Sequence, residues 1–238
     1  MKEDLDILAS QMRFQFSLYD MIAQLIFARV ICPCSLSDGK LSSCPKPIPK
    51  NEYPDPVEKK EADFDSFVAF DFETTGVNSN RDAIIEVGAI RVVNGRLVES
   101  EEFTFQELVR PFKKRLSTKI TELTGITKED LEDARQMWEV IPEFMEFVGD
   151  DILVGYNSVG FDAKFLCRAG RYCNKVYENK HFDVLKFARE SAKKINYTGQ
   201  DLKLTSVGEF LGIDNPNAHR ALADAITTAK IYLKLREI

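Results

Sequence analysis

The pattern of apolar and polar positions divides the chain into two parts. From Leu5 to Val30, apolar residues recur at intervals of three and four, which predicts an amphipathic helix. The stretch from Pro33 to Pro56 is rich in proline, and such a composition is typical of a linker or an irregular arm. We therefore predict an N-terminal helix and Pro-rich linker over residues 1–62 and a folded domain over residues 63–238.

In the second part, predicted strands and helices alternate. Apolar runs predict strands over Phe67–Phe72, Ala83–Val93 and Leu97–Phe105. Asn94-Gly95 is a strong hairpin signal between the last two. The further predicted elements are a helix over Lys128–Val148 with Thr127 as its N-cap and a break or second start at Pro142, a strand over Asp151–Gly155, a helix over Asp162–Tyr172, a strand-to-helix passage over Phe182–Ser191, a helix over Leu204–Leu211 closed by Gly212, and a terminal helix over Ala218–Leu235. This order predicts an α/β fold with a mixed sheet flanked by helices, preceded by an N-terminal helical extension.

The first strand, within FVAFDFETTGV, carries two carboxylates in an otherwise apolar run. Because alternate side chains of a strand point to the same face, Asp71 and Glu73 lie side by side. Like charges at the edge of a core repel each other and are poorly solvated. A raised pKa, a basic partner or a metal cation must compensate them.

Two further stretches carry side chains of the same chemistry. A buried strand ends at Asn157 and a helix opens with Phe161-Asp162, while His219 stands five residues before Asp224 at the start of the last helix. In an α/β sheet, strand ends and helix starts collect along one edge. Carboxylate ligands suit Mg²⁺ or Mn²⁺, two such ions about 3.5–4 Å apart can stabilise both oxygens of a phosphodiester displacement, and a histidine can accept the proton of the attacking water.

These stretches resemble the three motifs of the DEDD superfamily of exonucleases. The motifs are FDFETTG at residues 70–76, Asn157 through Phe161-Asp162, and His219 with Asp224. The histidine spacing is that of the DEDDh subgroup, which includes the proofreading epsilon subunit of bacterial replicative polymerase, the exonuclease domain of PolC-type polymerases, RNase T and oligoribonuclease. The resemblance runs from about Phe67 to Leu235 and extends to IIEVG at residues 84–88, LTGIT at residues 123–127 and HFD at residues 181–183. The LTGIT phrase is most similar to the epsilon and PolC-type members.

The resemblance implies a ribonuclease H-like fold and a role for each motif residue. Asp71, Glu73 and Asp224 would hold the metal ion that carries the nucleophilic water. Asp71 would also contact a second metal ion, together with Asp162, and His219 would be the general base. No rule of folding requires this set of five residues, which disfavours a purely structural explanation.

The resemblance also implies candidates for substrate binding. Thr74 and Thr75 would line the pocket for the 3′-terminal nucleotide, Phe161 would pack beside the site, and Asn157 is a further candidate. The interval from Asn157 to Phe161 is one residue longer than is common in the family, and Gly160 could absorb the extra residue as a bulge.

The function expected from these motifs is metal-dependent hydrolysis of single-stranded DNA from its 3′ end, with two Mg²⁺ or Mn²⁺ ions and release of nucleoside 5′-monophosphates. One alternative is the same chemistry on RNA, as in RNase T or oligoribonuclease, because discrimination depends on how the pocket meets the 2′-hydroxyl. Another is a non-catalytic adaptor that binds nucleic-acid ends or a polymerase. A polymerase subunit is a possible partner, and the N-terminal helix is a possible homodimer contact.

Composition changes this picture only slightly. The 238 residues carry a formal net charge of −6 and are 44% hydrophobic, which suits one globular domain with an extension. An acidic balance does not exclude nucleic acid, because bound cations reverse the local sign of a carboxylate cluster. The basic run at residues 113–115 is either a solvated loop or a rim that contacts phosphates, and we assign structural roles to Glu86 and His181.

The cysteines and the lengths of the apolar runs indicate the cellular compartment of the protein. Five cysteines without a regular framework indicate a reducing compartment. Cys32, Cys34 and Cys44 have no fourth cysteine and no histidine nearby, so free thiols are expected rather than a zinc site. Neither a secretory signal nor a membrane span is predicted, and we expect a soluble cytoplasmic protein.

Overall fold

A computed structural model describes residues 47–111 and 116–237. Outside these residues lie the predicted helix from Leu5 to Val30 with its possible homodimer contact, Cys32, Cys34 and Cys44, and the basic run at 113–115. The compact unit that contains the elements below is Pro49–Ile238.

In the part of the chain that the structure describes, eight strands form one mixed sheet. The strands are β1 (Val57–Glu58), β2 (Phe67–Thr74), β3 (Ile84–Val93), β4 (Arg96–Leu97), β5 (Thr104–Arg110), β6 (Arg135–Gln136), β7 (Leu153–Gly155) and β8 (Lys180–Asp183). Their order is β1-β8-β7-β2-β3-β5-β6, with β4 beside β3. The pairs β1–β8, β8–β7, β7–β2 and β5–β6 are parallel, whereas β3 runs antiparallel to β2, β4 and β5.

Helices cover both faces of the sheet. They are α1 (Thr118–Thr124), α2 (Met137–Val148), α3 (Asp162–Tyr172), α4 (Val184–Ser191), α5 (Leu204–Phe210) and α6 (Ala221–Arg236). The alternation along β2 explains the two cores: Phe70 and Phe72 pack towards α2 and α3, while Phe67 and Ala69 pack towards α4, α5 and α6. The predicted α/β sheet flanked by helices is therefore confirmed. Within residues 47–111 and 116–237, no helix combines the length and the apolar character needed to cross a membrane.

The predicted strand over Leu97–Phe105 is wrong. The chain pairs with β3 only through Arg96–Leu97, then leaves the sheet for a short 3₁₀ turn at Glu101–Phe103, and returns as Thr104–Arg110. The cause is the polar cluster at residues 99–102, because consecutive solvated side chains cannot alternate between a buried and an exposed face.

The predicted helix over Lys128–Val148 is also wrong in its first half, and the break predicted at Pro142 does not occur. Only Met137–Val148 is helical, and it runs through Pro142. Thr127 and Asp130 do cap each other, with Thr127 N donating to Asp130 Oδ2 at 2.8 Å, but turns rather than a helix follow. Pro142 removes a single backbone donor, and the apolar residues that α2 buries outweigh this loss.

Near the motifs, one helix was not predicted and another begins later than predicted. The helix α1, whose last two residues begin the LTGIT phrase, was not predicted; Ser117 Oγ accepts from Ile120 N at its start, and Gly125 ends it in the left-handed conformation. The last helix begins at Ala221 rather than Ala218, because His219 has a φ of 65° and so cannot continue a right-handed helix.

Part of the segment predicted as linker belongs to the sheet. In β1, Val57 lies opposite Lys180 and Glu58 opposite His181, and Lys59 N donates to His181 O at 2.8 Å. Tyr53 is buried nearby. A two-residue strand among prolines leaves no periodicity in the sequence, so composition alone could not reveal this pairing.

Candidate active site

The site is built on the register between β2 and β3. Asp71 lies opposite Gly88, and Glu73 lies opposite Glu86. Asp71 and Glu73 alternate with the same period as Phe67 in β2, so they point to the face of the sheet that α6 covers. Gly88 and Glu86 are their partners across the strands and point to the same face. The two carboxylates predicted side by side therefore face the last helix.

Gly88 allows α6 to approach this face closely. A Cβ atom added to Gly88 would lie 2.1 Å from Leu222 N and 2.2 Å from the carbonyl carbon of Ala221, both in the first turn of α6. Because Asp224 lies in the same first turn, this contact brings its buried carboxylate over Asp71 and Glu73.

Gly88→Ala should displace α6 and lower both stability and activity. The new methyl group would overlap backbone atoms, which cannot rotate away, so we expect a loss of about 3 kcal/mol in the free energy of unfolding. Chemical denaturation measures this loss. Gly208→Ala is the control, since its nearest added contact is Ile213 O at 3.3 Å, and equal losses in the two variants would contradict the prediction.

Asp162 enters the site from the other side of β2. It is the first residue of α3, is 2% exposed, and its Oδ1 accepts from Phe72 N at 3.2 Å. The strand β7 runs parallel to β2 and ends at Gly155, so the turn after it delivers Asp162 to the edge where β2 ends.

His219 and Asp224 are linked through the turn that precedes α6. His219 N donates to Asp224 Oδ2 at 3.2 Å, and Asn215 Nδ2 donates to Asp224 Oδ1 at 2.6 Å. Ligand atoms of Glu73, His219 and Asp224 all lie within 4.8 Å of one another. The imidazole of His219 is exposed, so it borders the site from the solvent side.

Burial and neighbouring charges shift the pKa values of the carboxylates strongly. Burial, and then the charges of Asp162, Asp224, Glu73 and Glu86, raise the pKa of Asp71 well above its usual value. Burial and the nearby carboxylates also raise the pKa of Glu73 to about 8, although Arg220 opposes this shift. The pKa of Asp162 rises to about 7, chiefly through burial.

Asp224 shows the same direction: burial raises its pKa, while the hydrogen bond from Asn215 opposes the rise. The site thus holds more negative charge than its own groups neutralise. Hard oxygen ligands, an imidazole and mutual repulsion fit a divalent cation, and Glu73, His219 and Asp224 form one group whose ligand atoms lie close enough together to hold one.

These shifts predict how stability depends on pH in EDTA. Because the pKa values of Glu73 and Asp162 are raised in the folded state, folded protein binds more protons than unfolded protein, so stability falls as pH rises through these values. Burial lowers the pKa of His181 to about 4, which acts in the opposite sense below its ordinary value of 6.5. We therefore expect Tm to fall by several degrees between about pH 6.5 and pH 8.5.

Thermal denaturation across this range is the measurement. Glu73→Gln should reduce the slope, whereas Glu146→Gln, which changes an exposed carboxylate on α2, should not. A Tm that stays level or rises with pH in EDTA would refute the argument.

The four substrate-binding candidates lie around the carboxylates. Thr74 Oγ1 donates to Gly76 O at 2.7 Å, and Thr75 Oγ1 accepts from Ala83 N at 2.9 Å, so both hydroxyls hold the turn after β2. Asn157 has a φ of 60°. Its carbonyl accepts from the N–H groups of Gly160 and Phe161, both at 3.1 Å. The longer interval to Phe161 is thus accommodated by a tight turn and not by a β-bulge.

Sequence reasoning missed two supports of the site. Asp183 Oδ1 accepts from Asn157 N at 3.1 Å and from Leu185 N at 3.0 Å, so it caps α4 and fixes the turn before Phe161. The motif HFD contained Asp183 but gave no role for it. Glu86, to which we assigned a structural role, binds Arg220 beside His219.

A cavity of about 550 Å³ adjoins His219 and Asp224. It has a partly apolar lining, with Tyr156, Leu185 and Leu202, and two cations, Arg189 and Lys203. Apolar surface beside positive charge suits a ligand that combines a ring with a phosphate.

The sheet order and the carboxylates gathered where β2 and β7 end define a nuclease domain of the ribonuclease H-like class. A family model described as Exonuclease (RNase_T) matches residues 68–232. The chain belongs to this exonuclease family.

Relatives and solved structures agree with this assignment. DNA polymerase III PolC-type of Thermotoga maritima is 38% identical over 177 residues, which make up 73% of this chain but 12% of that protein. DNA polymerase III subunit epsilon of Aquifex aeolicus is 35% identical over 173 residues, 72% of this chain and 81% of that protein. Exonuclease I of E. coli in complex with a dT13 oligonucleotide shares the fold, with a TM-score of 0.64 at 18% identity over 73% of this chain and 41% of that chain.

Proposed function

We propose that the chain hydrolyses single-stranded DNA from the 3′ end and releases nucleoside 5′-monophosphates. The observation that carries this proposal is the convergence of Asp71, Glu73, Asp162 and Asp224 beside the imidazole of His219, where burial and the charges of Asp162 and Asp224 raise the pKa values of Asp71 and Glu73. Such a set matches the requirements of phosphodiester hydrolysis assisted by divalent cations.

Asp71, Glu73 and Asp224 would hold one Mg²⁺ or Mn²⁺ ion, and Asp71 with Asp162 a second. When bound, the ions would activate water and neutralise negative charge on the scissile phosphate. His219 would accept the proton of the attacking water, and its exposed position leaves room for that water on the solvent side. Asp224 would orient His219 through its hydrogen bond to the backbone N–H.

The residues around the carboxylates would position the nucleotide. Thr74 and Thr75 fix the turn that follows β2, and Phe161, whose ring lies 5.1 Å from that of Phe165, would form the wall beside Asp162. Asn157 lines the cavity of about 550 Å³ together with His219. This cavity would accept one end of the strand next to the scissile bond.

DNA is the proposed substrate because relatives with 35–38% identity are named as DNA polymerase III proteins. Their names also support a polymerase as partner, and we propose that the chain would meet it in the cytoplasm. Whether the substrate is DNA or RNA, the chain would act at its 3′ end.

A time course with a 5′-labelled single-stranded DNA oligonucleotide tests the proposal. Mg²⁺ or Mn²⁺ should produce a ladder that shortens from the 3′ end, and EDTA should prevent it. Loss of a matched RNA but not of the DNA would reassign the enzyme as an exoribonuclease. Binding of both without cleavage would favour a non-catalytic adaptor.

A further inference from the structure

Glu86 is a carboxylate in the interior of the sheet. It is 0% exposed and lies on β3, two residues before Gly88. Three neighbours donate to it: Arg220 through Nε at 3.2 Å and Nη2 at 2.6 Å, Gln106 Nε2 at 2.9 Å, and Ala221 N at 2.9 Å. Its hydrogen-bonding capacity is thus used by groups from β5 and from the start of α6.

Stability alone does not account for this charge. A buried ion pair offsets a large desolvation cost, and well-packed apolar residues commonly replace such a pair without loss of stability. Glu86 also lies directly opposite Glu73, so it adds to the repulsion at the site and raises the pKa of that residue. The pair with Arg220 is better explained by what it holds in place.

Arg220 stands between His219 and the first residue of α6. The backbone of His219 is left-handed, with a φ of 65°, and its side chain is exposed, so packing does not fix the imidazole. Asp224 holds the turn from one side through His219 N. Glu86 holds it from the other side through the Arg220 guanidinium and through Ala221 N.

We propose that Glu86 and Arg220 form a positioning pair that sets the imidazole of His219 against Glu73 and Asp224. The proposal rests on the role of His219 as general base proposed above. The forked guanidinium fixes the direction of the turn, which a single point charge cannot do. Neither residue contacts the reacting atoms; both act through the backbone that follows His219.

Arg220→Lys tests the geometry while keeping the charge. We expect kcat to fall at least tenfold, with KM changed less than twofold and Tm changed by only a few degrees. The matched control is Arg135→Lys, because Arg135 also makes a forked pair, with Glu143, on the exposed side of α2. That variant should keep the kcat of the wild type. Equal kcat values for Arg220→Lys and the wild type would overturn the proposal.

A second variant separates positioning from stability. Glu86→Gln combined with Arg220→Gln removes both charges, so no uncompensated buried charge remains. A purely structural pair predicts that kcat per folded molecule returns to the wild-type value once both charges are gone. A positioning pair predicts that kcat stays at least tenfold low, because Gln cannot reproduce the fork.

A readout independent of catalysis distinguishes failure of this inference from failure of the proposed function. The chain has two histidines, so His181→Gln suffices to assign the ring signals in NMR spectra. In Arg220→Lys the ring of His219 should show increased motion, while that of His181 stays unchanged. An unchanged His219 ring would overturn the inference even in an active enzyme. If the wild-type protein did not cleave the oligonucleotide and the His219 ring still became more mobile in Arg220→Lys, the positioning pair would be supported and the proposed function refuted.

Discussion

Asp71→Asn is expected to lower kcat at least 10³-fold and, in EDTA, to raise Tm. Asp71 is the carboxylate that both proposed metal sites share, so its loss would remove several kcal/mol of transition-state stabilisation. Its pKa is raised by burial and by four neighbouring carboxylates, which means that its charge is unfavourable without a cation. Removing that charge relieves repulsion, and so activity and metal-free stability should change in opposite directions.

Single-turnover cleavage of the labelled DNA and thermal denaturation in EDTA provide the two measurements. Asp133→Asn, at an exposed position, is the control and should change neither. A variant that kept near-normal hydrolysis would exclude the proposed mechanism. A variant that lost activity and also unfolded in EDTA at a much lower temperature would show that Asp71 is needed for folding, contrary to the electrostatic argument.

His219→Asn should lower kcat by about 10²–10⁴-fold, with a smaller change in KM, because the proton of the attacking water loses its acceptor. The backbone hydrogen bond from residue 219 to Asp224 does not involve the side chain, so the carboxylates should keep their arrangement. Steady-state kinetics over a range of oligonucleotide concentrations separates the two constants. Addition of imidazole to His219→Gly should restore part of the rate.

The other histidine provides the matched control. His181 is buried, its ring lies 6.0 Å from that of Phe70, and its pKa is lowered by burial. His181→Gln should lower Tm and leave kcat per folded molecule near the wild-type value. If His181→Gln and His219→Asn lowered kcat equally, the role of His219 as base would have to be abandoned.

The sequence predicted the elements that are specified by neighbouring residues, such as an apolar period or a cap. The helix Asp162–Tyr172 has the predicted bounds, because its apolar period is unbroken. The helix predicted from Lys128 failed because Thr127 and Asp130 make the reciprocal hydrogen bonds of a helix start without enough following apolar residues to bury. Local capping is therefore not sufficient for a helix.

The candidate site likewise has residues that the sequence predicted and residues that it did not. The motif positions identified Asp71, Glu73, Asp162, Asp224 and His219, which the structure gathers at one edge, while their individual roles stay predictions. The Glu86–Arg220 pair joins residues 134 positions apart, and its effect depends on the register of β3 and on the close approach at Gly88. No spacing in the sequence encodes that meeting.

The short strand β1 matters for how the nuclease domain can be isolated. A fragment cut at the compositional boundary, residue 63, would lose β1 and leave β8 with a row of unpaired backbone groups at the sheet edge. An open edge is a template for strand addition by other molecules, and thus for aggregation. A fragment that begins at Pro49 keeps this edge paired and retains buried Tyr53, so it is the natural unit for expression and crystallisation.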